Sequence, residues 1–447
     1  MKAVRFRAAL VTLVLGTLLA ADAAYGADVP GWLREAAGAA ASPPRKGVVA
    51  EVLLAERTVT YDPSGRSTAT ERRVVRVLDR AGREEARAVV PYLTDTTKIS
   101  DLKGWILQPG GEVRELGKKE TVDVAAAAND VYNEARVRAL VGGDLVEPGG
   151  VFGAEWTVDD RSVFSQFDWR FQGRQPVRLS RLTLVLPAGF THEAVAFNRS
   201  EGLPKTEIAG GVRWELRDLP ALLTEDEAPP LTRLSPRLAV SVFAPPSARE
   251  AGPAFRSWAD VSTWFHTLSI PSADSSASLT QRARDLTRDA RTPFEKTAAV
   301  GRYVQGLNYV SIQTGLGRGG GYRPHAASLV LEKGYGDCKD KANLMKTLLR
   351  EVGVASDLVS VYLGDASYVR DEWPSPRQFN HAILAVRLPE ESGAPSTTVA
   401  PAVARHAALG LLLFVDPTAQ HTPVGELPES LQGSRGLIEL KEGGALL

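Results

Sequence analysis

The apolar residues of this chain change period once, and that change limits the folds open to it. From about residue 47 to 245 they alternate in short runs. Val49-Val52-Leu54, Thr58-Val59-Thr60-Tyr61 and Val74-Val75-Arg76-Val77 are the first of these. Asp62-Pro63-Ser64-Gly65, Asp79-Arg80-Ala81-Gly82 and Gln108-Pro109-Gly110-Gly111 separate them as turns. Phe164 to Phe171, Arg178 to Leu186 and Val212 to Leu216 continue the alternation. Many short strands at this spacing predict an antiparallel β-sandwich. Pro245 to Pro253 mark a boundary, and helical spacing begins after it. Thr292-Pro293-Phe294-Glu295 reads as a capping box with Pro at the first helical position. Val300, Tyr303, Val304 and Leu307 follow as one buried stripe.

A length of 447 residues suits two or three domains. Lys+Arg and Asp+Glu are equal at 53 each. With no long basic run either, a nucleic-acid partner is set aside. Residues 1–26 read as a signal peptide. Lys2, Arg5 and Arg7 precede the apolar run Ala8 to Ala20, which is too short for a membrane span, and cleavage is expected after Ala23 or Gly26. The mature chain is therefore expected to be periplasmic or secreted, with no membrane span. Residues 27–46, rich in Ala, Gly and Pro, read as a tether, which leaves a β-domain at 47–245 and a second domain at 254–447.

Cys338 is the one cysteine, so it has no internal disulfide partner. In an oxidising compartment an unpaired thiol is a liability unless it is buried or useful. It stands in Gly334-Tyr335-Gly336-Asp337-Cys338-Lys339-Asp340-Lys341-Ala342. The glycines allow a sharp turn, Asp337 suits an N-cap, and a helix is predicted from Cys338 to about Val352, stopped by Gly353. Cys338, Ala342, Met345, Leu349 and Val352 share its apolar face, while Lys339, Lys346 and Arg350 fall elsewhere. A thiol in a first helical turn meets the positive end of the helix dipole, which favours a thiolate. Asp337 and Asp340 oppose that, so a neighbouring imidazolium is needed to outweigh them.

His381 in Gln378-Phe379-Asn380-His381-Ala382-Ile383-Leu384-Ala385-Val386 is the candidate imidazole. The segment reads as a strand with Phe379, His381 and Ile383 on one face. Asp416 ends the apolar run Leu411-Leu412-Leu413-Phe414-Val415 and could fix the histidine tautomer. Each residue alone also has a structural reading: a small core hydrophobe, a satisfied strand histidine, a turn starter before Pro417. A metal site of Cys338 with His325, His381 or His421 lacks paired ligand spacing.

Three segments carry a family resemblance. Tyr335 to Ala342, Phe379-Asn380-His381 and Val415-Asp416-Pro417-Thr418 resemble the three motifs of the bacterial transglutaminase-like superfamily. Tyr322-Arg323-Pro324-His325-Ala326-Ala327, Leu427-Pro428 and Leu431-Gln432-Gly433 resemble a subgroup in which a β-rich domain of unknown function precedes that core. The resemblance implies a papain-like α+β second domain with a Cys338–His381–Asp416 catalytic triad: nucleophile, general base and acid, and orienter. It implies no metal and no cofactor. The Cys338 backbone N–H would be one oxyanion donor, worth on the order of 3 kcal/mol, and Gln313 is the candidate for the second.

The implied function is thiol-dependent hydrolysis of, or acyl transfer from, a peptide or protein amide. The alternative is a non-catalytic peptide- or partner-binding module on the same scaffold. The Gly-rich stretch Gly315 to Gly321 ends in no Gly-Lys-Ser/Thr and reads as a rim loop of the cleft. Glu390 to Ala408 reads as an insertion between His381 and Asp416. The chain ends at Leu447, soon after Leu431-Gln432-Gly433, where relatives of the subgroup usually continue.

Overall fold

The computed structural model describes residues 29–40, 45–126, 132–161, 163–223, 225, 228–313, 315, 320–389, 402–444 and 446–447. The signal-peptide segment, residues 316–319 of the Gly-rich stretch and residues 390–401 lie outside the described residues. The chain forms two compact units. One holds residues 1–126, 136–162 and 167–252; the other holds 127–135, 163–166 and 253–447.

The first unit is β-rich. Its main sheet has eight strands: β1 (Ala50–Tyr61), β2 (Ser67–Val77), β3 (Thr97–Leu107), β4 (Val113–Leu116), β5 (Val151–Asp160), β6 (Val177–Val185), β7 (Lys205–Ile208) and β8 (Gly211–Leu219). They lie in the order β7-β8-β6-β1-β2-β5-β3-β4. Neighbours run antiparallel except β1 and β6, which are parallel. The β1–β2 hairpin closes where the turn residues predict it. Asp62 Oδ1 accepts from the backbone N–H of Ser64, Gly65 and Arg66, and Gly65 sits at φ +99°.

Alternation along these strands feeds two cores. Val75, Ile106 and Phe152 point to one face, where two three-stranded sheets pack. Val74, Trp105 and Val151 point to the other. That second face is covered in part by a helix, α1 (Gly31–Ala37), so the stretch read as a tether is not a plain linker. Trp32, Leu33, Ala36 and Ala37 give it an apolar side, and Leu33 is fully buried. Gly153 makes the room: a Cβ there would stand 2.5 Å from a Leu33 methyl carbon.

The second unit is α+β. Helices α2 (Trp258–Ser269), α3 (Ala277–Leu286), α4 (Pro293–Gln305), α5 (Ala327–Lys333) and α6 (Cys338–Glu351) precede or flank a five-stranded antiparallel sheet. Its strands are β9 (Ser356–Val361), β10 (His381–Leu388), β11 (Val403–His406), β12 (Gly410–Val415) and β13 (Gly436–Ile438), in the order β11-β12-β10-β9-β13. Part of the segment read as an insertion is thus edge strand β11.

Helix α6 is the centre of this unit. Ala342, Leu344, Met345, Leu348 and Leu349 meet Leu279 and Ala283 of α3, Val300 and Val304 of α4, and Ala327 and Val330 of α5. Leu358, Leu384, Val386, Leu413 and Val415 of the sheet close the other side. Each buried leucine contributes roughly 1.5–3 kcal/mol by leaving water. Being surrounded, α6 buries polar residues too: Lys339, Lys341, Asn343 and Thr347 are all below a tenth exposed. The single apolar stripe read from the sequence is therefore too narrow, and Lys339 is not on a solvent face.

Candidate active site

Cys338 is the first residue of α6, and the turn before it fixes its place. Gly334 caps α5 in the left-handed region at φ +72°. Gly336 is needed for close approach, since a Cβ there would stand 2.7 Å from Asp340 Cβ and 3.3 Å from a Val330 methyl. Asp337 is the N-cap. Its Oδ1 accepts from Asp340 N–H at 3.2 Å, and Asp340 Oδ2 accepts from Asp337 N–H at 3.3 Å. This reciprocal box satisfies two donors of the first turn. Gly336→Ala is expected to lower unfolding free energy by about 1–3 kcal/mol, the usual cost of overpacking, seen as a lower urea midpoint. An unchanged midpoint would show that Gly336 is not needed for close packing.

The sheet brings the other two residues to the same end. His381 opens β10, and Asp416 directly follows β12, its antiparallel neighbour, with Leu384 opposite Val415. His381 Nε2 lies 3.1 Å from Asp416 Oδ2. Cys338 stands beside the same imidazole and helps to raise it, and with Nε2 engaged by the carboxylate, Nδ1 is the nitrogen left to face the sulfur. Cys338 is partly exposed, whereas the side chains of His381 and Asp416 are 6% and 4% exposed. Asp416 Oδ1 accepts from Thr418 N–H at 2.8 Å and Thr418 Oγ1 at 2.7 Å, which fixes the carboxylate plane.

Electrostatics follow from this packing. Burial alone would lower the imidazole, but bonds to Asp416 and Cys338 outweigh it and raise His381 to about 10. Burial pushes Asp416 up, and the His381 and Thr418 hydrogen bonds more than offset that, so its carboxyl stays below the usual range. The two aspartates expected to oppose a thiolate each have a basic partner of their own. Asp337 pairs with Lys339, and Asp340 Oδ2 lies 2.9 Å from His325 Nδ1. The Asp340 bond raises His325 above its ordinary value. These partners offset the two carboxylates, and the helix dipole and His381 act on the sulfur as well.

One expectation needs correction. Phe379 does not share a face with His381 and Ile383, because the strand begins only at His381. Phe379 packs in an aromatic cluster with Trp258 and Phe265, while Ile383 packs against Val359 and Val361. Asn380 breaks the alternation: its amide accepts from Leu363 N–H at 2.6 Å and donates to Leu363 O at 3.1 Å, taking the place of a ladder pair. His325 enters the sequence reading as part of the subgroup segment and as a metal candidate without paired spacing; the structure shows it anchoring Asp340, also through its backbone N–H at 2.8 Å. The repeat of Asp at 337 and 340 around Cys338 is the available hint in the sequence. The side chain of Gln313 lies outside the described residues.

Residues 280–392 match the family described as the transglutaminase-like superfamily, and residues 63–222 match a domain of unknown function with a solved structure, DUF3857. The second unit is a transglutaminase-like domain. It follows a DUF3857 domain, the arrangement the sequence motifs imply. A structure described as a candidate protease from Parabacteroides distasonis aligns over 89% of this chain and 71% of that one, at 15% identity and a TM-score of 0.63. That likeness is one of fold. A candidate cysteine protease from Cytophaga hutchinsonii overlaps 72% of this chain and 79% of that one, at 12% identity and a TM-score of 0.23, too low to argue from. No curated protein matches the sequence. Membership of the transglutaminase-like superfamily supports an enzyme of the thiol-dependent hydrolase or acyltransferase kind.

Proposed function

We propose that the transglutaminase-like domain breaks an amide bond through Cys338, His381 and Asp416, forming a thioester that water or an amine resolves. One observation carries this reading: a partly exposed thiol at a helix N-terminus, beside an imidazole whose Nε2 lies 3.1 Å from a buried carboxylate. In that setting the imidazole can take the thiol proton as the sulfur attacks. The thiolate attacks the carbonyl carbon, a C–S bond forms, and the C=O electron pair moves to oxygen. The Cys338 N–H, at the first turn of the helix, would serve as a donor to that oxyanion. As the C–N bond breaks, the imidazolium proton passes to the leaving nitrogen. His381 then takes a proton from the incoming water or amine, and collapse of the second tetrahedral adduct releases the sulfur. The substrate is a peptide or protein amide.

The test needs no known substrate. Cys338 is the sole cysteine, so iodoacetamide labelling reports one site. At mildly acidic pH, where ordinary thiols are protonated, wild-type protein is expected to label fast. His381→Ala is expected to slow labelling at least about tenfold, because the thiolate loses its imidazolium. Equal rates in the two folded proteins would dismiss the pair.

A further inference from the structure

We infer that Lys341 is a positioning residue of this site, tying the nucleophile's helix to the carboxylate's loop and supplying a buried positive charge on the Asp416 side. The inference rests on reading Cys338, His381 and Asp416 as the reacting set. Lys341 stands three residues after Cys338 on α6, about one turn along. It is 1% exposed, among the most buried side chains of the chain. Lysine is almost never buried that far without an acid beside it, yet among the described residues its Nζ donates to carbonyls alone, Gln305 O at 3.3 Å and Leu307 O at 3.0 Å.

Those carbonyls belong to the end of α4. Gln305 is its last residue, so the ammonium meets the negative end of that helix. Gln305 then continues the connection. Its buried Nε2 donates to Asp416 O at 3.1 Å and Thr422 O at 3.0 Å. A closed circuit results: Cys338 to Lys341 along α6, Lys341 to the Gln305 backbone, the Gln305 side chain to the Asp416 backbone, Asp416 to His381, and His381 back to Cys338. A helix cap alone would explain the two carbonyl bonds. It would not explain why the capped residue spends its own side chain on the loop that carries Asp416.

The charge has its own effect. The titratable groups of the site are Lys341 from α6, Asp416 after β12, His381 from β10 and Cys338, together with the Asp337–Lys339 and Asp340–His325 pairs around the first turn of α6. Burial pulls the Lys341 ammonium below its usual range, and the Asp416 carboxylate pulls it back up. By reciprocity Lys341 favours the ionised carboxylate, so its charge helps keep Asp416 ionised beside His381 as pH falls.

The experiment is the pH profile of iodoacetamide labelling at Cys338 in the full-length protein. In Lys341→Met the acid midpoint is expected to move up by about one pH unit, the size of removing one charge at an effective dielectric near 20. Lys341→Gln keeps donors for both carbonyls and is expected to show the same shift, which covers the case in which the methionine variant does not fold. Gln305→Leu cuts the mechanical connection without touching charge, so its plateau rate is expected to fall at an unchanged midpoint. A folded Lys341 variant with the wild-type midpoint would overturn the electrostatic role, and a full plateau rate in Gln305→Leu would overturn the circuit. If His381→Ala also labels at the wild-type rate, the triad reading itself fails. If it labels slowly while Lys341→Met does not shift, only the Lys341 inference fails.

Discussion

Asp416→Asn is expected to slow acylation of Cys338 on the order of 10⁴-fold while leaving the fold intact, the scale set by the same change in a serine triad. The size follows from hydrogen-bond direction. Asp416 Oδ1 accepts twice from Thr418, at 2.8 and 2.7 Å. An asparagine would keep its carbonyl oxygen in that place, because only an oxygen can accept those two protons. Its NH₂ would then face His381 Nε2, which would have to accept. The ring proton would move to Nδ1, facing the sulfur, and the histidine could no longer take a proton from the thiol. Asp416→Ala removes the Thr418 bonds as well and mixes a folding defect with the chemical one, so asparagine is the cleaner variant. Acyl-enzyme formation on a peptide library, followed by intact mass, gives the rate. Acylation of the Asn variant at the wild-type rate would exclude Asp416 as the residue that orients the imidazole.

The sequence made some of this legible and hid the rest for definable reasons. Features set by neighbouring residues were readable. The capping box at Thr292, the N-cap at Asp337, Pro293 at a first helical position and Gly353 in the left-handed region all stand where local rules put them. The change of period near Pro245 was equally local. Cys338, His381 and Asp416 could be named because their residue types are costly where they stand, and the structure brings them together. What sequence could not show depends on how many elements surround α6. A lysine within a helix reads as solvent-facing, and Lys339 and Lys341 are buried only because three helices and a sheet enclose that turn. The His325–Asp340 contact spans 15 residues and has no periodic signature. Helix α1 was masked by composition: Ala, Gly and Pro around it outweigh one short apolar side that needs Gly153 opposite it to dock.

The other large effect lies away from the chemistry, at Glu439. This residue follows β13, is 5% exposed, and keeps one side-chain hydrogen bond, from Ser360 Oγ at 2.9 Å. Burial drives its carboxyl up to about 7, the Ser360 bond and the charge of Lys346 pull it down, and Asp357 pushes it up. The unfolded chain releases this proton near the ordinary glutamate value of 4.5, while the folded chain holds it to about 7. Between those values the folded state binds more protons than the unfolded one, so stability must fall as pH rises through that window. Above it the folded protein carries a buried carboxylate at a cost of about 3 kcal/mol, the displacement converted at 1.36 kcal/mol per pH unit. A glutamine in its place would keep an oxygen to accept from Ser360 and would carry no charge. Glu439→Gln is therefore expected to gain up to about 3 kcal/mol at pH 8, little or nothing at pH 4, and to flatten the slope between. Urea unfolding across that range measures it. Parallel stability curves for the two proteins, or a loss at pH 8, would mean that Glu439 is charged and compensated in the fold. A gain confined to the alkaline side would show that the strand next to β9 is held most firmly when this one carboxyl keeps its proton.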